Sequence, residues 1–459
     1  MNSFIPVVCL LLIAVFSAIC TFFVTASVAT LFFALLILGI GLVFSSVAGR
    51  STGKARIVGL FCAVFSLYVF LAINHYLGYQ ADWAGFTQDW RDEYKFYLMA
   101  AENESLSLRE IFEKCLIDRS YLEYGGYVFY ISALSSMAHN WFDGNHLLLQ
   151  FLGTAVFGSL TSVMIFKIAA LYVGDKKAFW YSLAFMLLSI FVVYSYSLLR
   201  DVPIAFLYSW GFCLALKPQR DKAYTDIALM LLINAVIWEL RFEHGLFFSI
   251  ITLYLCYKVF RGNALALVLL GIASLSLFLV IFFSYVSEAM SALDNYSKFT
   301  LDKTGEKDDS FARYIYQLPP VAKHIGILIN SQIQPFPSWG GVQNATNYHQ
   351  VISGLFQVVS TYFWFIVFFS LMYWLLIQRR YRDLTAELKV LSGICLVFLL
   401  LNTANMTSRR IMSIYPFVYI VYVYLLDGVV DRRAAIRVSA LASCVYIFMV
   451  LIYLLAKAL

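Results

Sequence analysis

Long apolar runs broken by short charged clusters dominate the chain. A spanning helix needs about 20 consecutive, largely apolar residues. The pattern predicts spans at 5–25, 28–48, 56–76, 147–171, 178–197, 202–216, 224–240, 244–260, 263–285, 352–377, 387–403, 411–428 and 434–456. The expected fold is all-α: a polytopic integral membrane protein, with about thirteen transmembrane helices forming a single transmembrane domain, 1–459. Two long connections remain, 77–146 and 286–351. Within the first, residues 124–138 are apolar but short, and read as an interfacial or re-entrant helix. The first apolar segment lacks the positive charge that opens a secretory signal, and reads as a retained helix.

Composition supports the membrane reading. The chain is 62% hydrophobic and 13% charged, where a soluble protein has roughly 25% charged residues. Its net charge of +6 is not gathered on an extended basic face, so nucleic acid is not an expected partner. Seven of the eight cysteines lie in apolar runs, and no Cys-x-x-Cys pair exists. Neither a disulfide framework nor a zinc site is expected.

Charge sets the orientation. The basic short loops hold Arg50, Lys54 and Arg56; Lys176 and Lys177; Lys217, Arg220 and Lys222; Lys258 and Arg261; Arg379, Arg380, Arg382 and Lys389; and Arg432, Arg433 and Arg437. The positive-inside rule assigns these loops, and the N-terminus, to the cytoplasm. Alternation then puts both long connections outside, provided 124–138 does not span.

The same topology sends a polar set outward. It comprises Trp90-Arg91-Asp92-Glu93-Tyr94, Leu199-Arg200-Asp201, the turn with Glu239, Arg241, Glu243 and His244, and Arg409-Arg410. Charges at such short turns lie near the membrane boundary, where they are costly unless paired or lining a wet cavity. Any one arginine is accounted for by snorkelling or by a neighbouring carboxylate. Together, Arg200, Arg241, Arg409 and Arg410 suit a phosphate or pyrophosphate, which guanidinium holds bidentately. Asp92 or Glu93 is the candidate general base. His244 could be a base, an arginine partner or a structural donor, with the last two favoured.

At these residues the chain resembles the GT-C superfamily of membrane glycosyltransferases, and the bacterial polysaccharide polymerases of Wzy and EpsG type. Asp92-Glu93-Tyr94 resembles the acidic motif opening the first external loop, and Leu199-Arg200-Asp201 the second acidic position. Arg409-Arg410 followed by Tyr415-Pro416 is similar to the late Arg-to-Pro segment. Pro335-Phe336-Pro337-Ser338-Trp339 resembles an element of exopolysaccharide-cluster membrane proteins.

The resemblance implies catalysis by Asp92, Glu93 and Asp201, with Arg91, Tyr94, Arg200, Arg241, Glu243, His244, Arg409 and Arg410 binding substrate. It implies polyprenyl-phosphate- or polyprenyl-pyrophosphate-linked saccharides as partners, membrane lipid, and other polysaccharide-assembly proteins, in a bacterial inner membrane with both long loops periplasmic. It implies no cofactor with certainty, and a divalent cation stays open. An O-antigen or exopolysaccharide repeat-unit polymerase is favoured because arginines outnumber carboxylates at the turns near 200 and 409. Loop 286–351, with Lys298, Lys303, Lys307, Arg313, Lys323 and His324, could cover its groove. The alternatives are a transferase adding one sugar from a polyprenyl-phosphate donor, and a lipid-linked oligosaccharide transporter or flippase. Transport is less favoured because no internal repeat appears and the charges gather at one face.

Overall fold

The computed structural model describes residues 4–49, 53–84, 91–142, 147–217, 223–280, 283, 315, 318–333, 336, 338–343, 345–402 and 408–458. Among the described residues every regular element is helical. Among the described residues, seven helices are long and apolar enough to cross a membrane: Pro6–Thr25, Val28–Ala48, Lys54–Ala81, Leu147–Val173, Tyr348–Ile377, Arg409–Gly428 and Arg432–Leu455. That fits a multi-pass membrane protein. Other expected spans are helical but shorter, such as Asp201–Leu216 and Ala264–Val280.

The chain divides into two compact units. The first comprises Met1–Cys213, Glu239–Phe242 and Trp339–Phe363. Its frame is α1 (Phe4–Thr25), α2 (Val28–Ala48) and α3 (Lys54–Ala81). Before α2, the Ser27 side chain caps the helix by accepting the Thr30 amide. Phe61, Phe65 and Tyr68 form one buried face of α3 at helical spacing. A Cβ on Gly41 would overlap the Phe61 ring, so glycine lets α2 close on α3. Next come α4 (Arg91–Ala101), α5 (Gly125–Phe142), α6 (Leu147–Val173) and α7 (Asp175–Leu188). α6 packs against α2, α3 and α7. The Tyr68 hydroxyl donates to the Met186 carbonyl at 2.9 Å, which satisfies a polar group buried between α3 and α7.

α5 begins at Gly125 and runs to Phe142, beyond the expected 138. Its Leu134 and Ala138 cluster with Ala29 and Phe33 of α2 and Leu149 of α6. These partners all belong to the opening turns of their helices, so α5 packs at one end of the set.

One expected span is corrected. The apolar run 178–197 predicts a continuous helix, but α7 stops at Leu188. The Ser189 hydroxyl accepts the Phe191 amide at 3.3 Å, competing with the helical pattern. A single turn, Phe191–Tyr194, follows, and irregular backbone then leads to α8 (Asp201–Leu216). Ser189, Ser195 and Ser197 of this stretch are buried. Such backbone is tolerated within a membrane protein where protein, not lipid, surrounds it.

The second unit comprises Leu214–Trp238, Glu243–Ser338 and Trp364–Leu459. It takes in most of α9 (Ala223–Leu240) and α10 (Phe242–Phe260), then α11 (Ala264–Val280) and α12 (Pro320–Ile333). After α13 (Tyr348–Met372), which begins in the first unit, come α14 (Ala386–Asn402), α15 (Tyr415–Gly428) and α16 (Arg432–Ala458). Trp364 stacks on Tyr415 at 3.9 Å, and its indole donates to Gln332 at 3.2 Å. Lys258 donates to the Ala215 carbonyl at 3.0 Å, placing a cation at the C-terminal end of α8. Within the expected loop 286–351, α12 and the turn Gly340–Gln343 are helical. Lys298, Lys303, Lys307 and Arg313 lie outside the described residues, as do Trp90, Pro335 and Pro337.

Candidate functional site

α4 opens with Asp92 and Glu93 in its first turn, where carboxylates suit the helix dipole. Adjacent residues on a helix point apart. Asp92 is exposed and Glu93 is 1% exposed. One oxygen of Glu93 accepts from the Tyr79 hydroxyl and lies 3.2 Å from His75 Nε2. Its other oxygen accepts the Leu198 amide at 2.8 Å. Leu198 belongs to the irregular stretch after α7, where no helical carbonyl is in place to take its amide. The rings of Phe151 and Tyr196 pack on His75, each at 5.1 Å.

Two residues further on, the chain turns into α8. Arg200 accepts the Ile204 amide with its carbonyl, and Asp201 occupies the first helical turn. Arg241 sits in the break between α9 and α10. The two turns clasp each other. Arg241 Nη1 donates to Asp201 Oδ1 at 2.9 Å, and Arg200 Nη1 donates to the Leu240 carbonyl at 3.1 Å. One bond pairs two buried charges; the other places a guanidinium on a carbonyl at the end of α9. Arg200, Asp201 and Arg241 are 8%, 4% and 6% exposed.

A third cation joins these turns. Lys95 Nζ lies 4.0 Å from the centre of the Tyr124 ring, and Arg200 Cζ lies 4.5 Å from it. Each contact is a cation–π interaction. Lys95 is three residues beyond Asp92 on α4, so both share an exposed helix face. Tyr124 immediately precedes Gly125 and Gly126. A Cβ on Gly126 would lie 2.6 Å from the Glu239 carbonyl oxygen, and one on Gly125 2.5 Å from that of Cys115. Gly126 thus seats the start of α5 against the Glu239 turn, and Gly125 seats it against Cys115. Arg119 reinforces the contact, 3.3 Å from Glu239.

The structure brings Asp92, Glu93, Arg200, Asp201 and Arg241 together at one end of the first unit. Arg91 opens α4, and Tyr94 is half-buried with its ring 6.1 Å from Trp83. Glu243, His244, Arg409 and Arg410 belong to the second unit. There His244 is buried, with its ring 5.3 Å from Phe398. Arg409 and Arg410 are half-buried in the turn Ser408–Ile411, which leads into α15 and Pro416. Sequence reasoning did not single out His75, Tyr79, Lys95 and Tyr124. A signal existed for the first two, because a His and a Tyr at i and i+4 share one face near the polar end of α3.

Away from the apolar spans, burial with Glu104 and Tyr94 nearby raises the Tyr97 phenol above its ordinary value. Burial pushes the Cys115 thiol up to about 11. All eight cysteines are free thiols. Among the described residues no three His, Cys, Asp or Glu gather as a metal site would require. The first unit therefore presents an exposed carboxylate, Asp92, on a helix whose next turn carries Lys95, and Lys95 shares a ring with Arg200. Chemically that arrangement can hold an anion and accept a proton. No family model, curated protein or solved structure matches the chain.

Proposed function

We propose that the chain is a membrane glycosyltransferase acting on polyprenyl-(pyro)phosphate-linked saccharides, and that it joins repeat units into an O-antigen or exopolysaccharide. The observation that carries this reading is the convergence of Lys95 and Arg200 on Tyr124, beside the exposed Asp92. Two cations on one ring repel each other, and a bound anion offsets that repulsion. For a chain with apolar spans, a lipid-linked pyrophosphate is an anion that arrives from the bilayer itself.

In this reading Asp92 takes the proton from a hydroxyl of the acceptor sugar as its oxygen bonds to the anomeric carbon of the donor. The bond from that carbon to the pyrophosphate oxygen breaks. The lipid pyrophosphate leaves with the electron pair, and Lys95 and Arg200 meet its charge. In this reading the N-terminus faces the cytoplasm, as the basic short loops favour, and the site faces the periplasm of a bacterial inner membrane, as the family resemblance implies.

The test is polymer length in a strain lacking the native gene. Asp92→Asn, at wild-type protein level, is expected to cut polymerisation about 10²–10⁴-fold, the usual contribution of a general base. Lys95→Ala is expected to shorten the polymer as well. Normal polymer from Asp92→Asn overturns the assignment. If deletion of the gene leaves a truncated repeat unit, the enzyme adds a single sugar instead. Unchanged saccharide with loss of a transported solute means a transporter.

A further inference from the structure

We infer that Glu93 is a positioning residue: held by His75 and Tyr79 of α3, its carboxylate grips the Leu198 amide and sets the Arg200–Asp201 turn against the helix that carries Asp92. This inference rests on the glycosyl-transfer reading of the same site and gives its two acidic residues different jobs.

A general base must reach the proton it takes. Glu93 is 1% exposed, and each of its oxygens already faces a donor from the protein. Its neighbour Asp92 is exposed. The three donors come from two separate places in the chain. His75 and Tyr79 lie at i and i+4 on α3, and Leu198 lies in the irregular backbone two residues before Arg200. A buried amide needs an acceptor, and here no helix provides one. The Glu93 carboxylate fills that role and joins α3, α4 and the arginine turn at one point. Hydrogen bonds to a charged acceptor are the strong ones, so this strut resists displacement. From the turn, Arg200 reaches Tyr124 and the Leu240 carbonyl, and Asp201 receives Arg241. Loosening the strut would therefore disturb the cations without removing any of them.

The experiment uses the full-length protein in lipid nanodiscs, with undecaprenyl pyrophosphate as the probe. Three quantities are read for the wild type, Glu93→Gln and Tyr79→Phe: amide exchange over residues 197–201, affinity for the probe, and polymer length in cells. Glu93→Gln is expected to speed exchange about tenfold and weaken the probe about tenfold, as loss of one charge-assisted bond implies. Tyr79→Phe leaves the carboxylate in place and is expected to move both in the same direction, by about threefold. The sign is diagnostic, because simple electrostatics predicts that removing a negative charge near arginines tightens anion binding.

Tighter binding in Glu93→Gln overturns the inference. So does unchanged exchange and affinity with abolished polymer, which would make Glu93 the base. If Glu93→Gln fails to accumulate, Tyr79→Phe decides alone, and wild-type exchange and affinity in that variant overturn the strut. Wild-type protein that ignores the probe while exchange still responds to Tyr79→Phe keeps the strut and removes the glycosyl-transfer reading.

Discussion

Arg241 and Arg410 are both arginines at breaks between apolar helices, yet their surroundings differ. Arg241, in the first unit, is 6% exposed and spends one guanidinium nitrogen on Asp201 at 2.9 Å. Arg410, in the second unit, is half-buried in a short turn before α15. Residue type and position relative to the spans are alike, so the sequence ranks them together. The difference teaches that a cation at a break between helices is committed to the fold to different degrees, and burial with a dedicated partner marks the committed one.

The largest expected effect breaks the first side of this contrast. Arg241→Ala leaves Asp201 buried without its cation and is expected to cost about 3–5 kcal/mol of stability. Removing Asp201 as well is expected to recover part of that loss. Thermal unfolding of the purified protein in detergent measures both, and a loss below about 1 kcal/mol would show that the clasp is not structural. An intermediate effect tests whether the neighbouring turn is seated as tightly. Gly126→Ala forces a Cβ to within 2.6 Å of the Glu239 carbonyl oxygen, and overpacking of this kind costs about 1–3 kcal/mol. A wild-type melting temperature would mean that the Glu239 turn yields freely. The smallest effect belongs to the second side. Arg410→Ala is expected to change stability by no more than about 0.5 kcal/mol. A large drop in melting temperature would make Arg410 a fold residue like Arg241.

Much of the helical framework was legible because each long apolar run carries its own signal. The pairing of α6 with α2 and α3 was not, since these helices are apolar nearly all round and no stripe marks the partner. The stop at Leu188 was hidden for a related reason. Residues 178–197 carry no charge and no Gly or Pro, and the break depends on serine hydroxyls that bond to local backbone. Within the site, short spacing was readable and long spacing was not. Arg200-Asp201 and Arg241 stood out as charges between spans. That Asp201 receives Arg241, and that Glu93 turns inward while Asp92 turns out, depends on partners brought together from distant parts of the chain. Lys95 sat beside the acidic pair in plain view. Its significance comes from Tyr124, on which Arg200 also rests.

The first unit is discontinuous, and that has a consequence for how the protein is made. α5 leaves the ribosome before α6, yet the Tyr130 hydroxyl donates to the Gly153 carbonyl at 2.8 Å and Ser135 accepts from Gln150 at 2.9 Å. Its first turn then waits for Glu239, and the Asn74 side chain waits for His349, which lies 2.8 Å from it in the finished structure. The first unit therefore cannot complete itself until residues 339–363 have been synthesised. Its polar groups need a temporary host until the 339–363 segment arrives, so truncation of the carboxy-terminal half should unsettle the amino-terminal half as well.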